Sequence, residues 1–128
     1  MSRKLEDSAR RRRAQRRGRF GEALARALLR LKGYRCLARG YRTPWGEIDL
    51  VLRRGDLLVF VEVKAHASLE RAGEAITARQ RRRIAAAAAL YLQAHPQLAL
   101  LRQRFDAVLL APGRWPRVIE DAWRDSKA

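Results

Sequence analysis

The sequence predicts an α/β protein in which a mixed β-sheet is flanked by helices. Two segments carry apolar residues at helical spacing, an apolar β-hairpin lies between them, and a further apolar strand follows the second helix. This order of elements, αβββαβ, implies a mixed sheet with helices packed on it. A chain of 128 residues fits a single domain. We expect that domain over residues 18–128, after a basic, flexible arm at residues 1–17.

The first helix is predicted over roughly residues 19–32. Gly33 is a good C-terminal stop, because glycine readily adopts the left-handed conformation that ends many helices. The apolar residues at helical spacing, which we expect to face the core, are Phe20, Leu24, Ala27, Leu28 and Leu31. A strand over residues 34–42 and a turn at residues 43–46 are predicted to follow.

The next segment is a hairpin in which carboxylates interrupt apolar strands. Gly55 and Asp56 suit the two central positions of a tight turn, since glycine tolerates a positive φ. With that turn, Asp49 faces Glu62 on the neighbouring strand. A three-residue loop or a bulge would send the two carboxylates to opposite faces of the sheet. We disfavour that register because it buries charge against the helices.

Side chains alternate across a strand, so this register divides the hairpin into a charged face and an apolar face. The charged face carries Glu47, Asp49, Glu62 and Lys64. The apolar face carries Ile48, Leu50, Leu52, Val59, Val61 and Val63. Opposed β-carbons lie roughly 4.5–5.5 Å apart, close enough for Asp49 and Glu62 to share a divalent cation. Oxygen ligands of this kind prefer Mg²⁺ or Mn²⁺. For Glu47 alone, a cross-strand salt bridge with Lys64 is the preferred interpretation.

The later elements complete the predicted fold. Residues 67–73 are expected to form a loop, and the residues from Thr77 to Gln80 resemble a capping box that opens a helix reaching about Ala94. The predicted inward stripe of that helix is Gln80, Ile84, Ala87, Ala88 and Tyr91. An apolar strand over residues 104–110 and a short strand near residues 117–119 are predicted to follow.

The charge of the chain points to a polyanionic partner. The net charge is +16, and nine basic residues lie within the first twenty positions. Nucleic acid, with DNA preferred, is the simplest partner. An anionic membrane surface and a genomic bias towards arginine are the alternatives. The longest apolar run, residues 84–92, is too short to cross a bilayer, and no apolar segment follows the basic N-terminus as in a secretory signal. Cys36 is a lone thiol, so we expect a cytoplasmic protein without disulfides.

Several short motifs together resemble the YraN-type family of uncharacterised bacterial proteins. They are the GEIDL and FVEVK runs of the hairpin, the helix start at residues 18–22, the Arg79-Gln80 helix opening and the segment at residues 104–106. The resemblance covers about residues 18–110. That family is in turn similar to the PD-(D/E)XK nuclease superfamily, which includes Holliday-junction resolvases and restriction endonucleases. The resemblance implies a restriction-endonuclease-like fold and Mg²⁺-dependent cleavage of phosphodiesters.

The resemblance also implies roles for individual residues. Asp49 matches the signature aspartate and Glu62 and Lys64 match the E-x-K motif, with the Val63 carbonyl as an additional metal ligand. Glu22 matches a helix glutamate that completes the metal site in resolvase-like members. On a helical wheel, however, Glu22 lies away from the apolar stripe, which favours solvent or another partner. Gln80 matches a glutamine near the site in some members, and its alternative role is the capping box.

Further basic residues are expected to hold the nucleic-acid backbone: Arg12, Arg16, Arg19, Arg79, Arg82 and Arg83. For Asp106 a strand-end salt bridge is the preferred interpretation. Trp45, Trp115 and Trp123 are interpreted as packing lids rather than as base-stacking groups. A homodimer, as in the resolvases, stays open.

The chain departs from its relatives at two places, with Ala65-His66 where a Thr-Arg pair is usual and Gly40 where an asparagine is common. The leading hypothesis is a metal-dependent endonuclease acting on branched or damaged DNA. The first departure slightly favours the alternative of a non-catalytic nucleic-acid-binding module with a vestigial nuclease site. A protein or membrane adaptor that uses the arm ranks last, because it leaves the charged hairpin unexplained.

Overall fold

The computed structural model describes residues 20–124. The helix α1 occupies residues 20–31. It is followed by the strands β1 (Arg35–Arg42), β2 (Glu47–Arg54) and β3 (Leu57–Ala65), the helices α2 (Leu69–Glu74) and α3 (Ala78–Ala94), a 3₁₀ turn (Leu98–Leu100), and the strands β4 (Arg102–Leu110) and β5 (Arg117–Trp123). The predicted basic arm lies outside the described residues.

The five strands form one mixed sheet in the order β1-β2-β3-β4-β5. All neighbouring pairs are antiparallel except β3 and β4, which are parallel. A parallel pair needs a crossover connection, and α2 and α3 supply it between β3 and β4. The predicted class, a mixed sheet flanked by helices, is confirmed. Within residues 20–124 no helix is both long and apolar enough to cross a membrane.

Each face of the sheet has its own core. On one face, α2 and α3 cover a cluster that includes Phe60, Ile84 and Tyr91. On the other face, Ala25 and Leu29 of α1 pack on a second cluster built largely from valine and leucine of the central strands. The β3 strand is buried through its first six residues, as expected for a strand covered on both faces.

The prediction of which face of α1 packs inward is wrong. Phe20 is 73% exposed and Leu31 is 87% exposed, whereas the buried positions are Gly21, Ala25 and Leu29. A Cβ on Gly21 would lie only 3.0 Å from Cδ1 of Leu110. The helix therefore packs through its small residues, which allow close approach to the sheet. This rotation is what brings Glu22 next to the sheet rather than into solvent.

Two further predictions need correction. Residues 67–73 were expected to be a loop, but Leu69–Glu74 is helical. The backbone N–H of Arg71 donates to Oγ of Ser68, 3.1 Å away, which is an N-cap signal available in the sequence. The hairpin's apolar face is also not uniform, because Ile48 joins the core under α3 while Leu50 and Leu52 join the core under α1.

Gly40 has a backbone conformation that favours glycine. Gly40 lies within β1 at φ +58°, between the pairs Arg39–Leu50 and Tyr41–Ile48. Glycine and asparagine are the residues that adopt this left-handed conformation most readily. Glycine thus suits the strand geometry at this position, between the pairs that flank Asp49 on β2.

Candidate active site

The charged end of the β2–β3 hairpin opens into a cleft under the start of α3. The predicted turn is confirmed, with Gly55 at φ +60°, and so is the predicted register from the turn as far as the pair Leu50–Val61. Asp49 and Glu62, which were predicted to face each other, lie just beyond this last pair. The cleft has a volume of about 590 Å³. It is lined by Glu47, Asp49, Glu62, Lys64, Thr77, Arg79, Gln80, Arg83 and Ile84. The predicted charged face of the hairpin therefore lies in a single concave site.

The carboxyl groups of Asp49 and Glu62 both line this cleft, and each perturbs the pKa of the other. Burial, with the adjacent Asp49 charge as the next cause, raises the pKa of Glu62 from 4.5 to about 8. Burial also raises the pKa of Asp49, although hydrogen bonds from Val63, Glu62 and Glu22 oppose that rise. Because both pKa values are raised, the pair retains a proton more readily than ordinary carboxyls do. This is the behaviour of two carboxylates forced together without a cation.

Lys64 is held between the acidic pair and α3. Its Nζ lies 3.5 Å from Oε1 of Glu62. When the Gln80 amide is oriented to satisfy both of its ends, Oε1 accepts from Lys64 Nζ at 2.8 Å and Nε2 donates to the Ala75 carbonyl at 3.0 Å. Lys64 is therefore positioned by a neutral side chain as well as by a carboxyl group.

Gln80 lies at the start of α3 and lines the cleft. Its backbone N–H donates to Oγ1 of Thr77, 3.2 Å away, so Thr77 is the N-cap of α3 as predicted. The Gln80 side chain does not complete the capping box, because it extends to Lys64 instead. The helix start and the site are thus built from the same residue.

Glu22 reaches the acidic pair from α1. A hydrogen bond between its carboxyl group and Asp49 contributes to lowering the pKa of Asp49. A helical wheel places Glu22 away from the core only if the large apolar residues of α1 face inward. With Gly21 and Ala25 against the sheet instead, Glu22 borders the buried face.

Glu47 does not form its predicted salt bridge with Lys64. It lines the cleft, but its ion pair is with Arg42 on β1, with 3.7 Å between Nε and Oε1. Lys64, its expected partner, pairs with Glu62. The register of β1 on β2 places Arg42 directly opposite Glu47, which the hairpin alone does not reveal.

The donor set suits a hard divalent cation that keeps part of its hydration shell. Within residues 20–124, no group of three or more His, Cys, Asp or Glu side chains is arranged to hold a metal ion. Mg²⁺ is commonly bound through one or two carboxylates, with water completing the shell. Asp49 and Glu62 are such a pair, and a cation would remove the need for a proton on the pair. The two carboxylates fit Mg²⁺ or Mn²⁺ if water supplies the remaining ligands.

The basic residues expected to hold nucleic acid divide into three groups. Arg79 and Arg83 line the cleft. Arg82 is exposed on the same helix but does not line it. Arg12, Arg16 and Arg19 lie outside the described residues.

Asp106 belongs to a structural network outside the cleft. Nε and Nη2 of Arg104 each donate to a carboxylate oxygen of Asp106 at 2.8 Å, and Asp106 also accepts from the backbone N–H of Asp121 at 2.9 Å. Asp121 has a φ of +52° at the irregularity between β4 and β5. The preferred interpretation, a salt bridge, is confirmed, although Asp106 is buried within β4 rather than at its end.

The fold and the cleft define an α/β protein with a mixed five-stranded sheet and an acidic, lysine-containing site between the central hairpin and a crossover helix. The model of the uncharacterised protein family UPF0102 matches residues 21–110. The chain belongs to this family, as the YraN-type resemblance predicted.

Close relatives extend over nearly the whole chain. A UPF0102 protein of Paramagnetospirillum magneticum is 55% identical over 115 residues, covering 87% of this chain and 89% of its own. One from Mesorhizobium japonicum is 55% identical over 116 residues, covering 91% and 93%. A third, from Methylorubrum extorquens, is 49% identical over 118 residues, covering 92% of each chain.

Proposed function

We propose that this protein is a metal-dependent nuclease that hydrolyses phosphodiester bonds of nucleic acid, with DNA as the preferred substrate. The observation that carries the proposal is the pair of carboxyls from the half-buried Asp49 and the buried Glu62, with Lys64 beside it in an open cleft. Carboxyls withdrawn from water in this way are costly as a structural element, and perturbed pKa values in a cleft mark functional sites.

Asp49 and Glu62 would hold Mg²⁺ or Mn²⁺, with the Val63 carbonyl and Glu22 as the additional ligands that the resemblance implies. When bound, such an ion supplies polarisation of the phosphate and acidification of water. The backbone N–H of Val63 orients the carboxylate of Asp49 through a 2.8 Å hydrogen bond. A fixed orientation of this kind reduces the reorganisation needed when substrate binds.

Lys64 would act on the charge of the substrate. Its ammonium group lies against Glu62 and donates a hydrogen bond to Gln80, which fixes its position. In the absence of the cation its charge is partly neutralised by the acidic pair. Once a cation engages those carboxyls, the ammonium group becomes available to stabilise negative charge that develops on the phosphate.

Arginine side chains would hold the strand beside the cleft. Arg79 and Arg83 line the cleft. The net charge of the chain, +16, favours binding of a polyanion. Such contacts supply affinity without reading sequence. We therefore expect cleavage with little sequence preference, on branched or damaged DNA among other substrates.

The test is cleavage of labelled branched, single-stranded and duplex DNA by purified protein, with Mg²⁺ or with a chelator. We expect cleavage that requires the metal and that is lost in Asp49→Asn and Glu62→Gln. Asp56→Asn is the matched control, since Asp56 is a carboxylate on the same hairpin but is exposed at its turn and pairs with Arg102. Equal activity in all three variants would identify a contaminating nuclease and reject the proposal.

A second candidate is a nucleic-acid-binding module whose site no longer performs catalysis. Its specific support is that the site is already satisfied internally: Asp49 accepts from Val63, and Lys64 contacts both Glu62 and Gln80. Calorimetric titration with Mn²⁺ in the presence of DNA separates the two functions. Metal binding that disappears in Glu62→Gln supports the nuclease, whereas salt-sensitive DNA binding without any heat from metal supports the module.

A further inference from the structure

The turn between β1 and β2 is held closely by its own hydrogen bonds. The backbone N–H of Thr43 donates to the Gly46 carbonyl at 2.8 Å, and the Thr43 hydroxyl donates to the same oxygen at 2.8 Å. The hydroxyl oxygen also accepts from the N–H groups of Trp45 at 3.1 Å and Gly46 at 3.0 Å. One threonine side chain thus restrains the whole turn.

This turn is also fastened to α3 at the rim of the cleft. Nε of Arg83 donates to the Trp45 carbonyl at 3.1 Å. Gly46 is buried, and a Cβ placed there would lie 2.4 Å from the Arg83 carbonyl oxygen, so the two backbones are in close contact. Arg83 and Glu47, which flank the contact, both line the cleft. The backbone of Trp45 is therefore fixed beside the proposed active site.

The Trp45 side chain nevertheless remains in solvent. It is 65% exposed, whereas Trp123 is only 8% exposed and stacks on Phe105 with 5.5 Å between ring centroids. The interpretation of the tryptophans as packing lids is thus confirmed for Trp123 and wrong for Trp45 and for Trp115, which is also exposed. Among residues 20–124, no aromatic ring or cation stacks on the Trp45 indole. A large apolar ring on a restrained backbone is prepared to contact a ligand with little loss of conformational freedom.

We infer that Trp45 is a stacking platform for an unpaired base, so that the substrate class is single-stranded nucleic acid or nucleic acid with an unpaired segment beside the cleavage point. This inference rests on the proposed function. An aromatic face next to arginines is the arrangement that binds a single strand, because bases stack on the ring while the cations hold the phosphates. In an intact duplex the base faces are covered by neighbouring base pairs, so Trp45 adds no binding affinity for duplex.

Binding can be measured without cleavage by replacing Mg²⁺ with Ca²⁺. The probes are a fluorescently labelled oligothymidylate strand and a duplex of the same length, followed by anisotropy. We expect the wild-type protein to bind the single strand more tightly. Trp45→Ala should weaken that binding roughly tenfold or more and leave duplex binding nearly unchanged. Trp45→Phe should retain most of the affinity for the single strand.

Trp115→Ala is the matched control, because Trp115 is 88% exposed and lies between β4 and β5, in a segment from which no residue lines the cleft. An equal loss in the two alanine variants, an equal loss on single strand and duplex, or no loss in Trp45→Ala would each overturn the inference. In the last case the exposed indole is better explained as a contact for a protein partner. Trp45 packs little of its surface in the fold, so we expect the melting temperature of Trp45→Ala to match that of wild type.

The two proposals fail in different ways. If Mg²⁺-dependent cleavage depends on Asp49 but Trp45→Ala binds the single strand normally, only the stacking inference is rejected. If Trp45→Ala selectively loses single-strand binding but no cleavage is found under any metal condition, the stacking role stands and the nuclease is rejected in favour of the binding module. A protein that binds neither probe overturns both proposals.

Discussion

The backbone N–H of Val63 donates a 2.8 Å hydrogen bond to Oδ2 of Asp49. This bond joins β2 to β3 just beyond their last paired residues, Leu50 and Val61. The carboxylate thus has a structural role in closing the end of the hairpin as well as a proposed role in the site. The two roles can be separated by substitutions that keep or remove the acceptor.

Asp49→Asn and Asp49→Ala should differ in stability but not in activity. Asparagine retains an oxygen that can accept from Val63, so we expect little loss of stability. Alanine leaves that N–H without its partner, which costs about 1–3 kcal/mol if the group stays buried. Both variants should lack metal binding and cleavage. Urea unfolding and metal calorimetry make the comparison, and an active Asp49→Asn would contradict the assignment of Asp49 as a ligand.

The raised pKa of Glu62 predicts how the stability of the protein depends on pH. Since the folded-state pKa of Glu62 is raised from 4.5 to about 8, its contribution is fully present below pH 4.5 and is lost as the pH rises through about 8. The loss of stability is on the order of 4 kcal/mol, and the raised pKa of Asp49 acts in the same direction. Unfolding should be followed by circular dichroism across this window without metal.

Glu62→Gln provides the control for that titration. A neutral amide has no proton to lose, so the fall in stability towards pH 8 should be much smaller in this variant. Adding Mg²⁺ should restore stability to the wild-type protein at the alkaline end but not to the variant. A wild-type stability that is flat from pH 4.5 to about 8 would show that Glu62 is not protonated in the folded state.

Gly46→Ala tests the close contact between the β1–β2 turn and α3. The new Cβ would lie 2.4 Å from the Arg83 carbonyl oxygen and 2.8 Å from its carbonyl carbon, so the backbones must separate. We expect a loss of stability of about 1–3 kcal/mol, typical of overpacking. Gly73→Ala is the matched control, because its Cβ would make an ordinary contact of 3.4 Å with Leu109 within a helix. That change should be neutral or stabilising by up to about 1 kcal/mol.

Asp106→Ala should destabilise the protein without affecting the proposed chemistry. It leaves the largely buried guanidinium of Arg104 without its bidentate partner, and breaking a buried ion pair costs about 3–5 kcal/mol. The exposed pair of Arg102 and Asp56 is the comparison, and Asp56→Ala should have little measurable effect. Thermal unfolding checks both, and cleavage measured well below the melting temperature should survive in Asp106→Ala.

Arg79→Ala should reduce nucleic-acid affinity and its dependence on salt. A lost phosphate contact lowers the slope of log affinity against log salt by about 1. Arg30→Ala is the control, since Arg30 is an exposed residue of α1, on the other face of the sheet from α3. Identical salt slopes in the two variants would mean that the strand does not follow the cleft.

The hairpin was predictable because its information is local. A Gly-Asp turn and the alternation of side chains set the register of β2 and β3 as far as Leu50 and Val61. The next residues, Asp49 and Glu62, both line the cleft. The start of α3 was predictable for the same reason, since Thr77 caps it from three residues away. The salt bridge of Asp106 was also anticipated, because Arg104 lies two residues away on the same strand.

Features that depend on distant segments were not predictable from pattern alone. The apolar stripe of Phe20 and Leu31 favours one face of α1, but close packing against Leu110 selects the face with Gly21. That choice decides whether Glu22 meets Asp49. The Glu47–Arg42 pair likewise depends on how β1 aligns with β2.

The sequence by itself determined the class of fold, the acidic hairpin and the family, because turn chemistry, strand alternation and short motifs act over a few residues. Only the tertiary structure decided the orientation of α1, the position of Gln80 on Lys64 and the exposure of Trp45 at the rim of the cleft. Those features arise where helices meet the sheet, and the shape of that contact depends on residues far apart in the chain.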